Sequence, residues 1–258
     1  DVAIPEVRQE RTAKGLRIVI QINEGVQYHV KSLSFSGEQV TSEQKIRALL
    51  KMKEGAIYTP EGLQKDIKSL NDGYGAGGFV DVQIQPQGTP AGNGLVDLHY
   101  TIEEGERSFV ERVNVVGNTR TKDKVIRREV LVLPGDVYNT VRVDVSKQRL
   151  ENLGYFEKVE TFPEDTGIPS RKNLLVQVEE KRTGSLQFGA GYSTIDSIIG
   201  FVEFSQGNFD LLNWPAFTGG GEKFRARAQF GSQRQDYEVS LTEPYFLGYR
   251  FSLGGDIF

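Results

Sequence analysis

Few residues in this chain could do chemistry, and their spacing argues against an active site. Gly73-Tyr74-Gly75-Ala76-Gly77-Gly78 satisfies G-x-G-x-x-G, a turn that cradles a pyrophosphate when a strand precedes it and a helix follows. Here the predicted order is reversed, so the run reads as a helix end feeding a turn. Gly219-Gly220-Gly221-Glu222-Lys223 lacks the spacing and the Ser/Thr of a phosphate loop and reads as a flexible strand connection. Adjacent carboxylates occur at Glu103-Glu104 and Glu179-Glu180. Neighbours on a strand point to opposite faces, so neither pair makes an acid–base dyad, and both are expected to be solvated strand ends. His29 and His99 are the only histidines and there is no cysteine. Thiolate ligands, cysteine nucleophiles and disulfides are thereby excluded, and a multi-histidine metal site nearly so. Arg127-Arg128-Glu129 is predicted to be an exposed helix face, with partner docking by Arg127 and Arg128 as its functional alternative. No catalytic, cofactor-binding or metal-binding residue emerges, and the expectation is a protein that is not an enzyme.

The totals agree. With 31 basic and 35 acidic residues the net charge is -4, so no basic field points to nucleic acid. No apolar run reaches the 18 residues of a membrane-spanning helix. Asp1-Val2-Ala3-Ile4-Pro5 is not a signal peptide, so a mature or trimmed start is expected. Glycine (29), phenylalanine (15) and tyrosine (10) supply turns and strands.

The elements that carry these residues repeat with a period of about eighty. Asp81-Val82-Gln83-Ile84 echoes Asp1-Val2-Ala3-Ile4, and Ile102-Glu103-Glu104-Gly105 echoes Ile22-Asn23-Glu24-Gly25. Val30, Leu33, Phe35 and Gly37 match Val110, Val113, Val115 and Gly117, and Tyr58 matches Tyr138. After Leu70 and Leu150 the first copy carries four extra residues, about one helical turn. The organisation expected is the tail of a repeat in 1–25, whole repeats in 26–105 and 106–182, and a different segment in 183–258. Each repeat reads β-α-α-β-β. Thr41 or Ser42, and Thr121, are the expected N-caps of the first helices.

From Ser185 onward alternation replaces helical spacing. Leu186, Phe188, Ala190 and Tyr192 fall on one face, against Ser185, Gln187, Gly189, Gly191 and Ser193. Phe224, Ala226, Ala228 and Phe230 oppose Arg225, Arg227 and Gln229, and Tyr237, Val239 and Leu241 oppose Glu238, Ser240 and Thr242. The final strand is predicted through Tyr249, Phe251, Leu253 and Ile257. Phe201 is the exception, lying on the polar side. Three features favour a membrane barrel over a soluble sheet: strands of about ten residues, no helix left to cover the apolar face, and aromatics at strand ends (Tyr192, Phe209, Trp214, Tyr245, Phe246). Five strands cannot close a barrel, so a fragment of a longer protein is expected.

Taken in order, these landmarks resemble the BamA-like outer-membrane assembly family. Gly117-Asn118-Thr119-Arg120-Thr121, Arg127-Arg128-Glu129, Leu153-Gly154-Tyr155-Phe156 and Val176-Gln177-Val178-Glu179-Glu180-Lys181 resemble its last polypeptide-transport-associated (POTRA) repeat. Gly184 to Ser193 looks like its first barrel strand, with Asn208-Phe209 and Leu241-Thr242-Glu243-Pro244-Tyr245-Phe246 as later landmarks. Asp210 to Gly221 departs from the family in being longer than a brief turn. The resemblance implies α+β POTRA repeats followed by an antiparallel transmembrane β-barrel fragment. It also implies location in the cell outer membrane with the repeats in the periplasm, and folding and insertion of other β-barrel proteins without ATP or cofactor. Unfolded outer-membrane proteins, accessory periplasmic lipoproteins and outer-membrane lipid would be the partners. The seam strand Ser185, Leu186, Gln187, Phe188, Gly189, Ala190, Gly191, Tyr192 and Ser193 would template a client strand, the glycines permitting bending. Val82, Gln83 and Ile84, with Val159, Glu160 and Thr161, are expected at sheet edges able to do so more weakly. The alternative is a polypeptide translocation pore of the two-partner secretion type.

Overall fold

The computed structural model describes residues 3–12, 15–23, 26–193 and 197–258. Asp1, Val2, Glu24 and Gly25, used above in the repeat comparison, lie outside them. The chain forms two compact units, Asp1–Glu106 and Arg107–Phe258.

The first unit opens with an antiparallel hairpin, β1 (Ala3–Thr12) and β2 (Gly15–Asn23). A complete repeat follows: β3 (His29–Ser36), α1 (Glu43–Leu49), α2 (Pro60–Ala76), β4 (Gln83–Gly92) and β5 (Leu95–Glu103). β5 lies in the middle of its sheet, parallel to β3 and antiparallel to β4. Its even-numbered residues Leu98, Tyr100 and Ile102 point to the helices and pack with Val30, Leu33, Ile46, Leu70 and Tyr74. The first helix starts where expected, though without the expected capping bond. Ser42 stands at the N-cap of α1 without a capping side-chain bond, whereas Thr59, before Pro60, accepts from the Gly62 N–H at 3.0 Å. The glycine run 73–78 is a packing device. A Cβ on Gly73 would lie 2.8 Å from Leu49 Cδ1, so its absence lets α1 approach α2.

On the buried side of α2, Asp66 accepts from the backbone N–H of Lys51 (2.6 Å) and Met52 (3.1 Å) and from the Tyr100 hydroxyl (3.4 Å). In the second repeat Ser146 stands at the matching place, its hydroxyl accepting from Leu131 N–H at 2.8 Å. Asp66→Ala leaves two backbone donors and the Tyr100 hydroxyl without their acceptor and is expected to destabilise this repeat by about 2 kcal/mol. Asp66→Ser should recover part of that loss. Urea unfolding monitored on the first repeat checks both, and equal midpoints for Ala and wild type would refute the account.

The second unit begins with the same repeat: β6 (Phe109–Val116), α3 (Asp123–Arg127), α4 (Thr140–Asn152), β7 (Phe156–Asp165) and β8 (Arg171–Glu180), in sheet order β6-β8-β7. α2 has 17 residues and α4 has 13, which accommodates the four extra residues of the first copy. Lys122, not Thr121, occupies the N-cap of α3. Gly37 and Gly117, both at φ +88°, follow the first strands, where an added Cβ would sit 2.2 and 2.0 Å from the carbonyl oxygens of Ile102 and Val178. Only glycine meets both demands.

In each carboxylate pair the first member, Glu103 or Glu179, is an exposed strand end as expected, but the second is not. Glu104 is buried, accepting from Val40 N–H (2.9 Å) and the Tyr74 hydroxyl (3.0 Å). Its counterpart Glu180 accepts from the backbone N–H groups of Thr119, Arg120 and Thr121 and from the Thr119 hydroxyl. In each repeat the end of the central strand thus fastens the loop leaving the first strand. A five-stranded antiparallel meander follows: β9 (Gly184–Ser193), β10 (Ser197–Phe209), β11 (Glu222–Phe230), β12 (Gln235–Glu243) and β13 (Leu253–Ile257). The last strand is shorter than the alternation suggested. Phe246–Gly248 form a 3-10 turn, and Phe246 meets Phe251 edge-on at 5.6 Å, folding the approach to β13 back on itself.

Candidate functional site

The strand singled out as a pairing template, β9, lies at the margin of its sheet and is paired on one side with β10. Register places Tyr192 opposite Ile198, Phe188 opposite Val202 and Leu186 opposite Phe204 on one face. That face is bare: Phe188 is 81% exposed, Tyr192 80% and Ile198 72%. The opposite face is ionic. Glu203 lies 3.5 Å from Arg225 and 3.8 Å from Arg227, and Arg225 reaches Glu238 at 2.9 Å. Ser185 and Ser205 exchange a hydrogen bond of 2.8 Å across the β9–β10 pair. A sheet whose apolar side is uncovered while its charges pair on the other side is built for a wet interior and a hydrocarbon exterior.

Phe201 explains itself in this frame. It pairs with Gly189, and a Cβ there would meet its ring at 2.7 Å. Arg227 stacks on the same ring at 4.8 Å. Gly189 is therefore a notch for an aromatic side chain, whereas Gly191 has nothing within 4 Å of an added Cβ. One aromatic assignment changes. Phe209 is buried at 8% exposure, stacked on Phe224 (4.8 Å) and Phe217 (5.7 Å), so it is not part of an interfacial belt.

The long connection 210–221, whose glycine run alone reads as flexible in the sequence, is a keyed joint with the last repeat. Asn208, buried, donates to the Thr121 hydroxyl (2.8 Å) and accepts from Gly221 N–H (2.9 Å). Lys122 N–H donates to Gly219 O (2.9 Å), Gly219 N–H to Asn208 O (2.8 Å), and Lys122 pairs with the buried Asp210. The glycines are sterically required. An added Cβ would lie 2.1 Å from Arg120 O at Gly219, 2.8 Å from Phe209 O at Gly220 and 2.3 Å from the Arg128 guanidinium at Gly221.

Arg128 and Glu129 belong to this joint, so the exposed-helix-face reading fails for them. The Arg128 guanidinium stacks over Tyr245 at 4.2 Å and lies 3.8 Å from Glu243, while Tyr245 donates to the buried Glu129 at 2.7 Å. Arg127 stays exposed but is tied to Asp123 and donates to Val113 O at 2.8 Å. Both arginines reserved for partner docking thus already hold partners within the chain.

Val82, Gln83 and Ile84 fall at the entry to β4, and Val159, Glu160 and Thr161 within β7. β4 and β7 are the outer strands of their sheets, opposite β3 and β6. The β3 and β6 margins are occupied. Val30 exchanges backbone bonds with Gly55 and Ala56, and Val110 with Gly135 and Asp136, while Arg47 donates to Leu33 O (2.7 Å) as Arg127 does to Val113 O. On the other margins, Pro86 and Pro90 in β4 and Pro163 in β7 have no N–H to offer. In β7 the longest donor run therefore lies before Pro163, where Val159, Glu160 and Thr161 are, whereas in β4 Gln83 and Ile84 belong to one of two equally short runs on either side of Pro86.

Glu180 links repeat and joint electrostatically. Burial alone would raise its pKa, but the hydrogen bonds from Thr121, Thr119 and Arg120 outweigh that and hold it below the ordinary 4.5. A carboxyl depressed on folding contributes stability above its unfolded pKa and loses it as pH falls through the folded value. The repeat is expected to weaken below about pH 4.5, and Glu180→Gln should flatten that acid limb. Unfolding midpoints of the two proteins between pH 3 and 7 check this; parallel curves would refute it.

The five-strand sheet, its ionic inner face and the last of the repeats, fastened to it at a keyed joint, together define a repeat-bearing outer-membrane β-barrel protein. The POTRA model, described as surface antigen variable number repeat, matches residues 28–105 and 108–181, and the Omp85 superfamily domain matches 216–258. The chain belongs to the BamA-like family of POTRA-bearing Omp85 proteins. Over its whole length it is 29% identical to the outer membrane protein assembly factor BamA of Neorickettsia risticii, covering 34% of that protein. Over 98% of its length it is 27% identical to BamA of Neisseria meningitidis, covering 31% of it. The chain thus spans about a third of these curated relatives. Among solved structures, BamA from Haemophilus ducreyi lacking POTRA domains 1-3 superposes with a TM-score of 0.74 at 23% identity, over 90% of this chain and 42% of that one. Haemophilus influenzae BamA POTRA3-5 gives 0.58 at 21% identity, over 69% and 72%. These two establish the shared fold.

Proposed function

We propose that the protein carrying this chain folds and inserts β-barrel proteins into the outer membrane, with its POTRA repeats in the periplasm and without enzymatic chemistry. The observation that carries the proposal is the sheet that β9 opens, whose apolar face is bare while its charges pair on the other face. Residues Ser185 to Ser193 offer backbone groups to an incoming strand of an unfolded outer-membrane protein, so affinity comes with little demand on sequence. The margins at Val82–Ile84 and Val159–Thr161 hold clients or an accessory periplasmic lipoprotein more weakly, for their donor runs are short. Outer-membrane lipid is the third partner; nucleic acid is none.

The chain has no cysteine, so introduced thiols here report cleanly. A disulfide between β9 and the closing strand of the complete barrel should abolish client insertion into vesicles, with recovery on reduction. Undiminished insertion by the oxidised protein would overturn the template role. Client crosslinks from Gln83 and Glu160, and none from Arg47 or Arg127, are expected if the repeats take clients along their open margins.

A further inference from the structure

Where the repeat meets the base of β9 and β10, a cavity of about 310 Å³ is lined by Arg120, Lys181 and Arg182. Among the described residues none of the three has a carboxylate within ion-pairing distance. Glu180 also lines the cavity, but its carboxylate is turned to the N–H groups of Thr119, Arg120 and Thr121, leaving three cations against one committed anion. Two of the cations stand on fixed backbone: Arg120 N–H is held by Glu180 at 2.9 Å, and Lys181 N–H by Tyr155 O at 3.0 Å.

Position tells what it is for. Gly184 and Gln206, both lining the cavity, are register partners, and by strand alternation they share the face of Leu186, Phe188, Val202 and Phe204. The cavity therefore opens where the bare apolar face ends. On the connection that supplies its far wall, Trp214 is 78% and Leu212 88% exposed, the amphipathic composition of a membrane boundary. Lys181 and Arg182 immediately precede the first spanning strand, as cations do when they meet lipid phosphates.

We propose that Arg120, Lys181 and Arg182 bind the anionic headgroup of a phospholipid whose acyl chains lie along the apolar face of β9 and β10. The proposal rests on the lipid-facing reading of that sheet. A free phosphate would use the cations but gain nothing from the adjoining apolar strands, so the commitment is to lipid.

The test is native mass spectrometry of the full-length protein released from detergent micelles containing phosphatidylglycerol or phosphatidylcholine. Heat-modifiable gel migration verifies that each variant is folded. Wild type should retain phosphatidylglycerol preferentially. R120Q/K181Q/R182Q should hold it about tenfold more weakly with phosphatidylcholine retention unchanged, and K181R/R182K should behave as wild type. Equal phosphatidylglycerol retention by wild type and the triple Gln variant would overturn the site while leaving the lipid-facing sheet intact. Inorganic phosphate binding to the cluster as tightly as the lipid would also overturn it. Failure of the wild type to retain either lipid would overturn the lipid-facing reading and the proposal with it.

Discussion

Gly219→Ala should uncouple the last repeat from the sheet while leaving each folded. The residue sits at φ +104°, a region alanine rarely enters, and its new methyl would lie 2.1 Å from Arg120 O and 3.0 Å from the attached carbon. Both obstacles are backbone, so no side-chain rotation relieves them. Relief requires moving the connection away, which breaks Lys122 N–H to Gly219 O and Gly219 N–H to Asn208 O. Left-handed strain and two lost hydrogen bonds together amount to roughly 3 kcal/mol or more, a shift of over a hundredfold in the docked population. Hydrogen exchange should show the amides of Lys122, Gly219 and Gly221 losing protection while those of β8 and β11 keep it. Unchanged protection at Lys122 would mean that the joint does not depend on this contact.

A second large effect separates the two faces of β9. Phe188, 81% exposed, points with the apolar set, whereas its neighbour Gln187 pairs with Glu203 on the ionic side. Phe188→Arg places a cation in hydrocarbon at a cost of about 2–4 kcal/mol near mid-membrane. Gln187→Arg adds a cation to a face that already holds Glu203 and should be nearly neutral. Folding of the full-length protein into lipid vesicles, titrated with urea, distinguishes them. Equal tolerance of both arginines would sink the lipid-facing assignment, since a sheet wet on both sides makes no such distinction.

What could be read from the residues follows how local each signal is. The eighty-residue period, the β-α-α-β-β order and the alternation after Ser185 depend on neighbours a few positions apart, and they translate directly into the elements observed. The length difference between α2 and α4 was likewise visible as four inserted residues. The joint was not legible, because its partners lie far apart in sequence: Asn208 with Thr121, Tyr245 with Glu129, Gly219 with Arg120. A glycine triplet looks the same whether it is loose or wedged against another backbone. One signal went unused: charged Arg128 and Glu129 between apolar Ile126 and Val130 have to find partners if that turn is covered. Glu104 and Glu180 escape a sequence reading for a similar reason. A strand-end carboxylate looks solvated until the loop it fastens is seen folding back over it.

Each repeat has one margin sealed by the loop ahead of its second helix and by an arginine, Arg47 or Arg127, and one left open. A module of that kind can end a ribbon but cannot be threaded into the middle of one. Copies at high local concentration thus lack the second receptive side that edge-to-edge propagation needs. The asymmetry makes each repeat a terminus for strand pairing and a poor seed for an aggregate.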